Sequence, residues 1–236
     1  MKQTLYYLKM LVPPVFIKIA NKAGIGGPKK IVRYPKNEND QQQLDMYFDP
    51  EYTKILETWG AETTWIEIQY LLASGKGKVL DIACGSGVTI EWLKGNTDLE
   101  VHGCDISDLL IQKAVDRGIP KEHLLITDAT AMSYADNSFN YSYSIGSLEH
   151  FTANGIEKFI AEASRVTSIA SMHMIPTSKS GKNEGWLNTS TTIQTFHNNS
   201  DEWWMERFKK HFREVQMLNS SWHDDISYGR WFICKK

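Results

Sequence analysis

The stretch Lys78-Val79-Leu80-Asp81-Ile82-Ala83-Cys84-Gly85-Ser86-Gly87 decides the fold. It is a short apolar run that closes on a carboxylate and a glycine-bearing turn. A helix is predicted directly after it, over Val88–Lys94. Strand, glycine turn and helix in that order make the ligand-binding corner of a nucleotide-binding α/β unit. Glycine lets the backbone approach a ligand that a Cβ would hold off. One such turn is a weak signal, so the residues beyond it must say which ligand.

Three more strands are predicted, and each ends on polar residues. Glu100–Asp105 closes on Asp105, about twenty residues past the turn, where a carboxylate can hold a ribose diol. Leu124–Ala129 closes on Asp128-Ala129, and Phe139–Ile145 runs into Gly146-Ser147-Leu148-Glu149-His150-Phe151. Taken singly, each aspartate reads better as a polar strand end or the cap of a turn than as a ligand-binding residue. Taken in order, the four motifs resemble the class I S-adenosylmethionine-dependent methyltransferases, over about residues 60–236. The dinucleotide fingerprint fits worse, because its third glycine would fall at Ile90. Ala83 stands where the family's motif has its first glycine, an Asp-x-Ala-Cys-Gly-x-Gly form.

The resemblance implies a Rossmann-like α/β fold. Its seven-stranded, mostly parallel sheet would end in a C-terminal antiparallel hairpin and carry helices on both faces. It also implies S-adenosylmethionine as cofactor. Asp81 and the backbone of Ala83, Cys84, Gly85 and Gly87 would hold the methionine portion. Asp105, with Ile106 beside it, would accept the ribose hydroxyls. Asp128 would accept the adenine amino group, and the Ala129 amide would meet the ring. Ile145 and Gly146 would offer a carbonyl to the ammonium.

Length and composition agree with one α/β domain and an extension. The chain has 236 residues, 42% of them hydrophobic, enough for a core. A net charge of -2, from 26 basic and 28 acidic residues, offers no bulk attraction for nucleic acid. Cys84, Cys104 and Cys234 are an odd set without CxxC spacing, read as reduced thiols of a cytoplasmic protein rather than a disulfide or zinc framework. No run is long enough to span a bilayer. Residues 5–18 are apolar but broken by Lys9, Pro13, Pro14 and Lys18, which leaves peripheral membrane contact open and disfavours a signal peptide. Residues 1–45 read as an N-terminal extension or lid, and 46–236 as the domain. Helices are expected near Pro50, over Thr63–Ala73 with Trp65, Ile66, Ile68, Tyr70 and Leu71 inward, and over Ser107–Arg117, Asn154–Thr167 and Ser200–Phe212. The closing strands are placed near Ala170–Ile175, Val215–Ser221 and Tyr228–Cys234.

Methyl transfer to a hydroxyl needs alignment, exclusion of water and a base. His150, just after the fourth strand, and His197, before the penultimate helix, are the candidate catalytic residues. Glu149 is the acidic alternative. Asn198 and Asn199 beside His197 could bind a polyol, although Asn199 with Glu202 also reads as a capping box. Lys179 and Lys182 could meet a phosphate and Trp186 could stack on a sugar or base. A solvated lysine loop fits the same residues. No metal site is expected. His223, Asp224 and Asp225 are the first suspects, and a turn explains them as well.

The opening segment, Leu11–Lys18, resembles the start of bacterial surface-polysaccharide proteins, and residues 65–87 with the Asn-Asn-Ser-x-Glu-Trp-Trp element resemble methyltransferases of capsule and O-antigen clusters. That resemblance implies a small-molecule acceptor, a nucleotide-linked sugar methylated on oxygen. Methylation of an amine or phosphoramidate precursor, and a non-catalytic cofactor-binding module, are the alternatives. The amino-methylation motif of nucleic-acid enzymes is absent, since Gly146-Ser147-Leu148-Glu149 stands in its place.

Overall fold

The computed structural model describes residues 31–33, 44–189 and 194–236. Most of the 1–45 extension, with its apolar segment 5–18, lies outside them. Among the described residues, α1 (Pro50–Leu56) and α2 (Thr64–Leu71) lead into β2 (Lys78–Ile82), α3 (Val88–Asn96), β3 (Glu100–Asp105) and α4 (Asp108–Asp116). Then come β4 (Leu124–Ile126), β5 (Phe139–Ile145), α5 (Ala153–Val166) and β6 (Thr167–Ser178). After β7 (Trp186–Thr189) and β8 (Phe196–His197), α6 (Asp201–Lys209) precedes the hairpin of β9 (Glu214–His223) and β10 (Ser227–Lys235). The first strand, β1 (Ile31–Arg33), belongs elsewhere, as described below.

Seven strands form one sheet in the order β4-β3-β2-β5-β6-β10-β9. The pairings from β4 through β6 are parallel, and β10 runs against both its neighbours. This is the expected Rossmann-like sheet with its antiparallel hairpin. Strand alternation divides the core between the two faces. Leu80, Ile82, Phe232 and Cys234 pack on one side with Phe159, Ile160 and Trp204 from α5 and α6. Val79 and Trp231 pack on the other with Ile68, Ile90 and Leu93 from α2 and α3. Helix α5 shows why it sits there: Ile156, Phe159, Ile160, Ala163 and Val166 recur at helical spacing and are all buried. The Ser107 hydroxyl caps α4 by accepting the Leu110 amide, as the sequence suggested.

Three details differ from the sequence reading. In α2, Tyr70 is 74% exposed and Ile66 lies at the surface, because an eight-residue helix turns only the Ile68 and Leu72 stripe inward. Strand β6 continues to Ser178, since β10 pairs with it from Ser178↔Ser227 to Ala170↔Lys235. The cap of α6 is Ser200, whose hydroxyl accepts the Trp203 amide. Asn199 instead accepts the Gly185 amide.

A second sheet, β1-β7-β8, is antiparallel and was not anticipated. It brings Ile31–Arg33 of the N-terminal extension against β7. All three cysteines are buried and free. Among the described residues, no helix is long and apolar enough to cross a membrane.

Gly87 caps α3 with φ 75°. A Cβ there would lie 2.4 Å from Ile119 Cδ1 and 2.9 Å from the Ala114 Cβ. Gly87 therefore sets how closely α3 packs on α4. Gly87→Ala should lower stability by about 2–4 kcal/mol, the sum of overpacking and left-handed strain. Urea unfolding measures it, and an unchanged midpoint would refute the packing role.

Candidate functional site

A cavity of about 460 Å³ opens where β2, β3 and β5 end, the usual ligand-binding edge of a parallel sheet. Asp81, Ala83, Cys84, Gly85, Asp105, Ile106, Asp128, Ala129, Ile145, Gly146 and His150 all line it. Each sits at or just past the carboxyl end of a strand, which is why residues far apart in sequence meet.

Asp81 is buried and accepts a hydrogen bond from the Tyr143 hydroxyl at 2.9 Å. Burial holds its carboxyl well above the usual range; the Tyr143 bond lowers it and nearby Asp105 raises it. Asp105 accepts the Gly85 amide on one oxygen and the Ser107 amide on the other, each at 2.9 Å. Burial raises its pKa too, opposed by those amides. Ala83 and Gly85 both adopt left-handed backbone, with φ 61° and 55°. A Cβ on Gly85 would meet nothing within 4 Å, so the turn leaves open space beside Asp105. Asp128 lines the cavity while one of its oxygens accepts both the amide and hydroxyl of Thr130 at 2.8 Å. The capping and lining readings of Asp128 hold together.

The other part of the cavity is walled by Tyr47, Tyr52, Trp59, Phe151, Phe196 and Trp222. Gln194 holds the two phenols: it donates to the Tyr47 oxygen at 2.6 Å and accepts from the Tyr52 hydroxyl at 3.1 Å. Trp59 packs on Trp222 with ring centres 5.5 Å apart. Among the described residues, no lysine or arginine lines the cavity. Motif reading missed Tyr47, Tyr52, Trp59, Gln194 and Trp222. The one available signal was the density of aromatic residues between 44 and 65.

Glu149 and His150 face this aromatic space from a single turn of 3₁₀ helix, Leu148–His150. The His150 Nδ1–H donates to the Thr195 carbonyl at 2.9 Å, which leaves Nε2 as the acceptor nitrogen. That nitrogen lies 3.7 Å from Glu149 Oε1. Burial pushes His150 down to about 4 and Glu149 up to about 8. Both groups are therefore neutral near pH 7. Glu149 is 2% exposed, and its Oε2 has no hydrogen-bond partner.

Apart from Asp224, which lines the cavity, the remaining sequence candidates lie outside its lining. His197 is 3% exposed and sits between Trp186, 5.0 Å away edge-on, and Trp203, stacked at 5.5 Å. The Asn198 amide donates to Glu184 at 3.1 Å and accepts from the Ser227 hydroxyl at 3.2 Å. Lys179 donates to the Asp224 carbonyl and lies 4.8 Å over the Tyr228 ring. Asp224 forms the hairpin turn, its carboxylate accepting the amides of Ile226 and Ser227. Gly87 does packing work instead.

The Glu149 shift has a stability signature. Its folded pKa, about 8, exceeds its ordinary 4.5, so the folded protein keeps a proton that the unfolded chain has released. Stability therefore falls as pH rises through that window. His150 has the opposite sign, but only below its ordinary 6.5. Between pH 6.5 and 8 the wild type should lose stability and Glu149→Gln should lose less. Parallel melting curves for the two proteins over that range would contradict the assignment.

Residues 79–169 match the sequence model of a family described as a methyltransferase domain. The chain is 31% identical over 99 residues to phosphoethanolamine N-methyltransferase of Triticum aestivum, 41% of this chain and 20% of that enzyme. It is 32% identical over 108 residues to the O-methyltransferase cnsE of Penicillium expansum, 43% of this chain and 39% of that one. The chain thus spans about a fifth of the length of the plant enzyme. Its fold is similar to that of Burkholderia thailandensis 1,6-didemethyltoxoflavin-N1-methyltransferase, solved with bound 1,6-didemethyltoxoflavin and S-adenosylhomocysteine. The TM-score is 0.65 at 13% identity, covering 90% of this chain and 97% of that one.

Sheet order and glycine turn give the class I methyltransferase fold, and residues 79–169 match a methyltransferase domain. Within that class the chain is similar to both N- and O-methyltransferases. The residues present fit S-adenosylmethionine, the cofactor that the sequence resemblance implies. The open space at Gly85 admits a ligand against backbone, and the Asp105 carboxylate beside it has lone pairs beyond its two amides. Buried Asp81 sits where a cation would stabilise its charge.

Proposed function

We propose that this protein methylates a hydroxyl of a small, sugar-like acceptor, with S-adenosylmethionine as donor. The observation that carries the acceptor site is the unpartnered Oε2 of buried Glu149, beside His150 in an aromatic-walled cavity. A buried carboxyl oxygen without a partner costs free energy that a ligand donor recovers. Bound S-adenosylmethionine supplies a methyl group already activated by positive sulfur. The chain's own part is to hold, orient and deprotonate. Asp105 takes the ribose hydroxyls and Asp128 the adenine edge. Glu149 binds the acceptor hydroxyl through Oε2. His150, neutral and with Nε2 bare, receives the proton as the methyl arrives. The Tyr and Trp walls exclude water and pack on the apolar face of a sugar ring.

A nucleotide-linked sugar of surface-polysaccharide synthesis, acting in the cytoplasm, is the acceptor class to test first. With no lysine or arginine among the described lining residues, its phosphates would project beyond these walls. Residues 1–45 would act as a lid on a domain spanning 46–236, a reading supported by the β1 and β7 pairing. A second reading, N-methylation of an amine, is favoured by the aromatic walls with only carboxyl side chains as charged partners, and by the phosphoethanolamine relatives.

The test is methyl transfer from labelled S-adenosylmethionine to free sugars, nucleotide-linked sugars and primary amines, including phosphoethanolamine. Labelled sugar ethers support the first reading. Label on amines alone overturns it in favour of the second. Cofactor binding without transfer to any acceptor would favour a binding module.

A further inference from the structure

We infer that Glu100, His102 and His123 form a site for one divalent transition-metal ion of the zinc type, separate from the cofactor cavity. Glu100 and His102 stand two apart on β3, so strand alternation places both on one face. His123 ends the short 3₁₀ turn that feeds β4, the strand next to β3. One ligand atom from each residue lies within 4.8 Å of the others. The site is at the amino end of β3, and Asp105 is at its carboxyl end, five residues or roughly 16 Å away along the strand.

The side chains lie close to a ligand arrangement. The His102 Nε2 and Glu100 Oε1 are 2.8 Å apart. The His123 Nδ1–H donates to the Val101 carbonyl at 3.2 Å, which leaves Nε2 bare. A backbone carbonyl behind a histidine is the usual orienting partner of a metal-bound imidazole. The two imidazole rings lie 4.3 Å apart and 28° from parallel. Zinc–nitrogen bonds of about 2.1 Å in a tetrahedron put ligands about 3.4 Å apart, so modest side-chain rotation closes the set. Two imidazoles and one carboxylate suit zinc, cobalt or nickel rather than calcium or magnesium. The fourth position would be water. Lys78 competes for the carboxylate, its ammonium 3.4 Å from Glu100 Oε1. The ion would tie β3 to the entry of β4 at the sheet edge and take no part in methyl transfer.

Isothermal titration of the metal-free full chain with zinc chloride tests this, with cobalt(II) visible absorption as a second readout. One equivalent should bind, and His102→Gln, His123→Gln and Glu100→Gln should each weaken it roughly tenfold or more. Lys78→Ala should strengthen binding, because a competing cation is gone. Glu100 is exposed, so its variant keeps the test valid should a histidine variant fold poorly. Methyl transfer should survive full chelation. Absence of zinc binding overturns the proposal, and so does equal affinity in wild type and Glu100→Gln. A tetrahedral cobalt spectrum lost in His123→Gln supports it.

Discussion

Asp105→Ala should weaken S-adenosylmethionine binding by roughly a hundredfold or more, with Asp105→Asn intermediate. A carboxylate that accepts two ribose hydroxyls contributes two charge-assisted bonds, each about 1.5–3 kcal/mol, and their loss predicts a change of that order. The alanine variant also removes the acceptor for the Gly85 and Ser107 amides, so the glycine turn itself loosens. Asparagine keeps one acceptor oxygen and separates the two effects. Calorimetric titration of the three proteins, with circular dichroism to verify folding, decides the matter. Equal affinity in wild type and Asp105→Ala would remove the ribose assignment. If Asp105→Asn matched the alanine variant, full charge on the carboxylate would be the controlling property.

The second large effect is on turnover. His150→Ala should lower kcat/KM for a hydroxyl acceptor by about 10²–10⁴, the usual worth of a positioned base, with cofactor affinity nearly unchanged. Glu149→Gln keeps the shape and a hydrogen-bonding amide, so it should act mainly through acceptor KM. The pattern also divides the two acceptor chemistries. An amine that arrives neutral needs no base, and His150→Ala would then cost little while Glu149→Gln still weakened acceptor binding. Full activity in both variants would remove this pair from the mechanism. The assay is single-turnover methyl transfer at saturating cofactor.

The parts of the site that sequence made legible share a physical basis. Asp81, Gly85, Asp105, Asp128 and Gly146 each stand at the carboxyl end of a predicted strand. In a parallel sheet all such ends point to one edge, so finding the strands already gathers the residues. The acceptor half lacked that regularity. Tyr47 and Tyr52 reach it from before the first strand of the sheet, Gln194 from between β7 and β8, and Trp222 from the closing hairpin. His197 was a reasonable candidate from its place in the element order. Yet β8 pairs with β7 and sets the His197 ring between two tryptophans, away from the cavity lining. Asn198 and Asn199 turned to the same local work, holding Glu184, Gly185 and Ser227.

The sequence by itself determined the α/β class, the positions of the seven strands of the main sheet and the edge where the cavity opens. Those depend on local hydrophobic periodicity and on turn chemistry within a few residues. Only the tertiary structure decided what faces the acceptor space, since that wall brings together residues as distant in the chain as Tyr47 and Trp222, through the β6-β10-β9 pairing and the unanticipated second sheet. It also decided the protonation of Glu149 and His150. Burial, which no neighbouring residue in the chain encodes, drives one carboxyl up to about 8 and one imidazole down to about 4.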